Sequence, residues 1–254
     1  MVSPVIQDLL QSLDAKKKQL DTYRPFPREL IANLNAWFRI ELTYTSNALE
    51  GNTLTSSETA LIVEKGITVG GKTLWEHLEA INHAEAFDYI VYLAQQSKDE
   101  ITLTDIYTIH RLILRRIDDD NAGQLRKVLV RISGLDFAFP EPLKLQEHME
   151  EFMRWLHAAK DHPVIVAADA HLKLVTIHPF VDGNGRTARL LLNLLLIQAG
   201  YPPALITPQD RTKYIDALAQ AQKNNQLDQY YTVIITAIER SLTIYLEHAQ
   251  STIK

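Results

Sequence analysis

A chain of 254 residues with 46% hydrophobic and 22% charged residues can bury a core of one large domain or two small ones. The net charge of −5 offers no basic footprint for nucleic acid, and the absence of cysteine removes disulfides, thiolate metal sites and cysteine nucleophiles. The longest strongly apolar run, LLLNLLLI (190–197), is too short to span a membrane, and the N-terminus lacks a basic start before a long apolar stretch, so a soluble, cytoplasmic chain without a cleaved signal is expected.

Helical signals come first along the chain. The run Lys16–Lys17–Lys18 sits among leucines at helical spacing and reads as a solvated face. PRELIANLNAWFRIELTYT (27–45) reads as helix and runs into SNALEGN (46–52), where a glutamate is followed by glycine and asparagine. TSSE (55–58) and TLTD (102–105) are capping boxes, threonine at the cap and an acid three residues on. The segment 73–97 has helical spacing without internal proline. After the second box, Leu103, Ile106, His110, Ile113 and Ile117 recur at steps of three and four, an amphipathic helix.

LRKVLVRISGLDFAFP (125–140) breaks the pattern. Its β-branched residues, the interrupting Ser-Gly and the closing alternation suit a short β-hairpin resting on helices, the alternative being a hydrophobic loop. Helical spacing resumes over 142–159 and 163–177. An apolar helix over 188–199 ends at Gly200, and Pro202–Pro203 prevents its continuation. TPQD (207–210) places threonine at a cap and Pro208 at the first helical position, and 227–248 is helical again. The fold class that follows is all-α, a helical bundle with one small β-hairpin. Asn193, inside the apolar run, requires a hydrogen-bond partner.

Between two of these helices lies HPFVDGNGRTAR (178–189). Its glycines permit close backbone approach to a ligand, and its amides sit at a helix N-terminus, which favours an anion. Arg186 and Arg189 are three apart and near one face, and arginine offers a fork that matches phosphate. Asp182 can hold a divalent cation through oxygen, as magnesium accompanies polyphosphate. His178 can serve as a general base. These parts describe a polyphosphate site with a base beside it. The remaining histidines show no H-E-x-x-H spacing for zinc.

The stretch resembles the signature of the Fic family, HPFx(D/E)GNGRxxR, at all nine specified positions. AGQLR (122–126), MEEFMRWL (149–156) and QAGYPP (198–203) resemble the family's surroundings, so the likeness covers roughly residues 40 to 245. It is greatest for the animal endoplasmic-reticulum members, without their membrane segment and helical-repeat region.

The resemblance implies transfer of AMP from ATP to a serine, threonine or tyrosine hydroxyl of a protein target. On that basis His178 takes the hydroxyl proton, and Asp182 holds Mg²⁺ against the α- and β-phosphates. Gly183, Asn184 and Gly185 cradle the phosphates, with Thr187 and Ala188 in the same binding turn; Arg186 helps hold the phosphates and Arg189 meets the γ-phosphate. Phe180 only packs. Val128, Leu129, Val130 and Arg131 match the first strand of the family's flap, which aligns a target by strand pairing. Tyr214 and Ile215 match positions that line the adenine pocket. Gln222 stands where the family has an adenine-contacting asparagine.

The family also carries an inhibitory pattern, (S/T)xxxE(G/N), and Ser46, Glu50 and Gly51 fit it. The implied partner of Glu50 is Arg189, through a charge-assisted contact, single or bidentate, that takes the place of the γ-phosphate. In relatives with this arrangement the same glutamate helps remove AMP from a modified protein, and other relatives transfer UMP, phosphate or phosphocholine. The expected organisation is an N-terminal helical region carrying the inhibitory motif (1–100), a catalytic core (101–236) and the end of the last helix (237–254). ATP and a protein target are the expected partners, with no nucleic acid and no membrane, and a homodimer is left open.

Overall fold

The longest apolar run becomes the axis around which the chain is wrapped. In the computed structural model, which describes residues 2–131 and 137–252, helix α8 (Asn184–Gln198) is buried from Arg186 through Leu196. A helix apolar on every side has no solvent face to offer and takes the centre. Asn193 is the polar exception, and its Oδ1 accepts the Ala204 N–H at 2.8 Å, which supplies the required partner.

Around it stand α1 (Pro4–Asp21), α2 (Arg28–Leu49), α3 (Ser56–Lys65), α4 (Leu74–Leu93), α5 (Leu103–Leu114), α6 (Leu145–Ala158), α7 (Pro163–Ile177), α9 (Arg211–Asn224) and α10 (Leu227–Thr252). The helix α7 lies along α8, α4 packs against α2, α5 and α8, and α1 packs along α10. One hydrophobic core joins most of these, and a satellite of Leu54, Ile62 and Ala80 closes the contact of α3 with α4. Both expected capping boxes form, Thr55 with Glu58 and Thr102 with Asp105. No helix among the described residues is long and apolar enough to cross a membrane.

Three boundaries differ from the sequence expectation. Helix α5 stops at Leu114 and leaves Ile117 outside it. Arg116 takes a left-handed φ of 62°, and its N–H goes to Asp119 Oδ1 at 2.8 Å, a local bond that competes with the helix. The TPQD cap opens a 3₁₀ turn, Pro208–Asp210, before α9 begins. Helix α8 starts at Asn184, ahead of Gly185, because Gly183 is the N-cap in a left-handed conformation (φ 74°).

The β-hairpin is not shown. Among the described residues none lies in a strand: Val128 to Arg131 and 137–140 run as irregular chain, and 132–136 lie outside the described residues. The two legs are held by a side chain instead of a ladder. Arg126 is 2% exposed, and its guanidinium donates to the carbonyls of Val128 (2.8 Å) and Pro140 (2.6 Å), one on each leg.

Candidate active site

Helix α7 delivers His178. Its last turn ends on His178, whose N–H closes on Leu174 O at 2.9 Å while the residue itself takes a left-handed conformation (φ 50°, ψ 58°). That conformation is uncommon for a residue with a side chain and is held here by surrounding bonds. Arg126 Nε donates to the His178 carbonyl at 2.8 Å, and the Arg126 N–H goes to Pro179 O at 2.9 Å. His178 Nδ1 lies 3.3 Å from Val175 O, so Nδ1 carries the hydrogen and Nε2 keeps its lone pair. Burial first, then the Arg126 charge, hold the imidazole below its ordinary pKa against the opposing pull of the Val175 carbonyl, Asp182 and Glu50. A neutral base is the result, with the Phe139 ring 4.4 Å from its own.

The loop that follows is built on two supports. Asn184 pins it from within: Oδ1 accepts the Phe180 N–H at 3.0 Å and Nδ2 donates to Phe180 O at 2.9 Å. His110 supports it from α5, its ring stacked on Phe180 at 3.7 Å and 4°. The Gly123 N–H donates to His110 Nδ1 at 2.9 Å, which leaves the ring hydrogen on Nε2 to donate to Asp182 O, also at 2.9 Å. Phe180 therefore packs, as expected. A Cβ on Gly183 would meet the His110 ring at 3.3 Å in addition to its left-handed strain. Gly183→Ala is expected to cost about 1–2 kcal/mol of stability, read from a denaturant midpoint.

His110 bonds only as the neutral ring. Burial, the largest influence, holds its pKa down to about 4, and burial also holds His83 and His171 to about 3. A histidine whose folded pKa is lowered contributes stability that is complete above its unfolded value of 6.5 and is lost as pH falls from there toward the folded value. The melting temperature is therefore expected to decline between pH 7 and pH 5. His110→Gln, which keeps one donor and one acceptor, should decline less steeply; a level wild-type curve over that range would refute the assignment.

Helix α8 then presents its first turn. The amides of Asn184, Gly185 and Arg186 have no acceptor inside the helix, the setting that attracts an anion. Thr187 and Ala188 differ. Both are fully buried and the Thr187 N–H is spent on Gly183 O, so these two serve the core and not the open turn. Asp182 stands at the mouth with its side chain 67% exposed; Oδ1 accepts the Gly183 N–H at 2.6 Å and Oδ2 accepts from Arg186 at 3.2 Å. Among the described residues no cluster of three or more metal-ligating side chains exists. Arg186 is buried, and its Nη1 donates to Glu79 Oε1 at 2.7 Å.

Glu50 reaches the same turn from α2. The helix ends at Leu49, Glu50 follows as its C-cap, and Gly51 turns the chain away at φ 102°. Arg189 Nη2 donates to Glu50 Oε1 at 2.6 Å and to the Ser46 carbonyl at 3.0 Å, and Arg189 Nε donates to Ser46 Oγ at 3.0 Å. The expected pair forms, but not as a bidentate one, because Ser46 takes the second edge of the fork. A Cβ built on Gly185 would collide with Glu50 Oε1, so this carboxylate lies directly over the first turn of α8. Desolvation opposes charge on Glu50, yet Arg189, Arg186 and Arg211 outweigh it and keep the carboxyl below its ordinary pKa. Arg211 also donates to Leu49 O at 3.0 Å and caps the end of α2.

The other expected binding residues are dispersed. Val128 and Leu129 are exposed at 55% and 73%, Val130 is half-buried and Arg131 exposed, on the leg tied by Arg126. Tyr214 is buried with its hydroxyl 2.7 Å from His171 Nε2, and Ile215 is exposed. Gln222 Nε2 donates to Thr176 Oγ1 at 3.3 Å on the wall of a 460 Å³ cleft shared with Trp155, Lys173 and Asn225.

Sequence reasoning missed Arg126, His110, Glu79 and Arg211. His110 left a signal, since it occupies an apolar-face position of α5; the other three sit far along the chain from the groups they hold.

Residues 100–196 match the Fic/DOC family. The chain is 38% identical over 253 residues to the protein adenylyltransferase Fic of Nematostella vectensis, covering 96% of this chain and 57% of that protein. It is 40% identical over 250 residues to the protein of that name from Drosophila melanogaster, covering 95% and 50%. The chain spans about half the length of the curated relatives it matches. Fic-1 (134–508) from C. elegans has a TM-score of 0.89 at 29% identity, covering 98% of this chain and 74% of that one. A Fic domain containing signaling protein from Bacteroides thetaiotaomicron has a TM-score of 0.84 at 30% identity, covering 96% and 98%.

Proposed function

The chain belongs to the Fic/DOC family, and from that premise we propose that it is a self-inhibited protein adenylyltransferase, moving AMP from ATP to a hydroxyl of a protein target. The observation that carries the reading is one juxtaposition: a neutral His178 with Nε2 free stands beside an anion-binding helix turn whose arginine is held by Glu50. The names of the relatives favour AMP as the transferred group.

The chemistry follows from these groups. His178 Nε2 takes the proton of the target serine, threonine or tyrosine hydroxyl. Its oxygen forms a bond to the α-phosphorus while the bond to the bridging oxygen breaks, and pyrophosphate leaves with the electron pair. Open amides at Asn184, Gly185 and Arg186 face charge on the phosphates, and such preorganised donors act without reorganising during reaction. Arg189 would meet the γ-phosphate. The exposed carboxylate of Asp182 fits Mg²⁺, which takes one or two protein carboxylates and completes its shell with water and phosphate. When bound, the ion would neutralise phosphate charge.

Glu50 supplies the inhibition, since its carboxylate lies over Gly185 and on Arg189, where the terminal phosphate would be. A second reading, removal of AMP from a modified target by the same site, is favoured by one observation: the Glu50 carboxylate lies over Gly185, in the loop and helix turn that follow His178.

The test is incubation with labelled ATP, Mg²⁺ and a cell lysate, then mass spectrometry of the labelled protein. An added mass of AMP, absent with His178→Ala, is the expected result. UMP, phosphate or phosphocholine as the added group would replace this reading. Release of AMP from the isolated product by the wild-type protein, lost in Glu50→Gly, would establish the second.

A further inference from the structure

Outside the site described above, helix α5, the leg 125–129 and the 3₁₀ turn Pro142–Lys144 enclose a cleft of 780 Å³. Its charge runs against that of the chain. The molecule carries a net charge of −5, yet the cleft walls hold Arg111, Arg126 and Lys127 against one carboxylate, Glu141. Arg126 is spent on three carbonyls. Arg111 and Lys127 have no hydrogen bond or ion pair among the described residues. The stem of Arg111 is nevertheless seated, because a Cβ on Gly123 would lie 3.2 Å from both its Cβ and its Nε. A guanidinium already seated loses less freedom on binding, and its fork matches a carboxylate.

The rim of the cleft is apolar. Leu143 is 94% exposed in the turn, and Leu129 is 73% exposed on the leg. Exposed leucines from two separate elements, edging one basic cleft, have the character of a surface that meets another protein. A single side chain separates this surface from the base: Arg126 lines the cleft, and its Nε donates to the His178 carbonyl at 2.8 Å.

We propose that the cleft docks the protein target through an acidic segment, with carboxylates on Arg111 and Lys127 and an adjoining apolar side chain against Leu129 and Leu143. The inference rests on the reading of the chain as a transferase acting on protein hydroxyls, and adds the chemistry of the segment beside the acceptor. A segment seated here reaches past Arg126 to His178, so the modified hydroxyl lies within a few residues of the carboxylates. The two cations steer the encounter as well as hold the complex, which makes recognition sensitive to salt.

The test uses the full chain carrying Glu50→Gly and two fluorescein-labelled peptides. One has a serine flanked on each side by two glutamates and a leucine; the other has glutamine at every glutamate. Fluorescence anisotropy at low salt is expected to show the acidic peptide bound about tenfold more tightly, the size expected of two charge pairs at a protein surface. Arg111→Glu and Lys127→Glu should each remove most of that preference, and both side chains are exposed, so neither change threatens the fold. Arg111→Lys, which keeps the charge, should retain part of it. Salt at about 1 M, where the screening length is about 3 Å, should erase it. With Mg²⁺ and ATP, the acidic peptide should gain AMP faster than its neutral counterpart.

Equal binding of the two peptides, binding of neither, or a preference that survives both charge reversals overturns the proposal. Equal AMP transfer to both peptides does so too. A dimer in analytical ultracentrifugation that Arg111→Glu dissociates would make a second copy of this chain the occupant and overturn it as well. If the charge-dependent preference holds while no peptide and no lysate protein gains AMP, the transferase reading fails and the preference of the cleft for an acidic segment stands.

Discussion

Glu50→Gly is expected to raise AMP labelling of the target on the order of a hundredfold, with His178→Ala in the same protein returning it to background. The first figure comes from geometry: displacing a reacting group by about 1 Å can cost on the order of a hundredfold in rate. Glu50 Oε1 is 2.6 Å from Arg189 Nη2 and lies over Gly185, so a terminal phosphate meets a negative charge and an engaged arginine at once. Glycine removes both obstacles and leaves the backbone undisturbed, because Glu50 has φ −91° and ψ 0°, open to any residue. The loss with His178→Ala reflects a positioned general base, about a hundredfold to ten-thousandfold.

A stability readout accompanies the kinetic one. Arg189 is 6% exposed and loses its counter-charge in Glu50→Gly, so the melting temperature should fall. ATP should restore it by binding the folded state, and more effectively than in wild type. Equal labelling by wild type and variant, with equal response of the melting temperature to ATP, would remove Glu50 from the regulation of this site.

Arg126→Ala is the second large effect, expected to cost about 3–5 kcal/mol and to abolish transfer. One guanidinium bonds three carbonyls, those of His178, Val128 and Pro140, at 2.6 to 2.8 Å. Bonds to charged donors contribute about 1.5–3 kcal/mol each, and the total falls short of their sum because the variant lets the Val128 leg reach water. Burial lowers the Arg126 pKa, which records the same desolvation. Its loss would free His178 to leave its left-handed conformation and would separate the two legs over the site. Arg126→Lys can satisfy fewer of the carbonyls at once and should lie between wild type and alanine. Guanidinium unfolding and AMP transfer in the Glu50→Gly background check both parts; a variant within about 1 kcal/mol of wild type would show that water replaces the three bonds.

Helix-forming segments were legible in the sequence wherever a local rule governed them. Capping boxes at Thr55 and Thr102, the apolar run of α8 and the turn glycines of 178–189 depend on neighbours within four residues, and each stands where expected. The pairing of Glu50 with Arg189, 139 residues apart, came from a family resemblance and not from periodicity, and the structure forms it as a single contact beside Ser46. Where the expectation departed, a side-chain bond or the phase of a helix had overridden propensity. Strand propensity in 125–140 suggested a ladder, but a buried arginine ties the legs. Thr187 and Ala188 belong to the motif by spacing, yet helix phase turns them into the core.

What the sequence by itself determined is the helical character of this chain and the chemistry of residues 178–189, because both rest on short-range geometry and side-chain type. Only the tertiary structure decided which proton sits on which nitrogen and which charges meet. His110 and His171 take their tautomers from Gly123 and Tyr230, and Arg186 takes a counter-charge from Glu79. Each of those partners is selected by burial, which forces a polar group to find whatever complement the packed helices bring within reach.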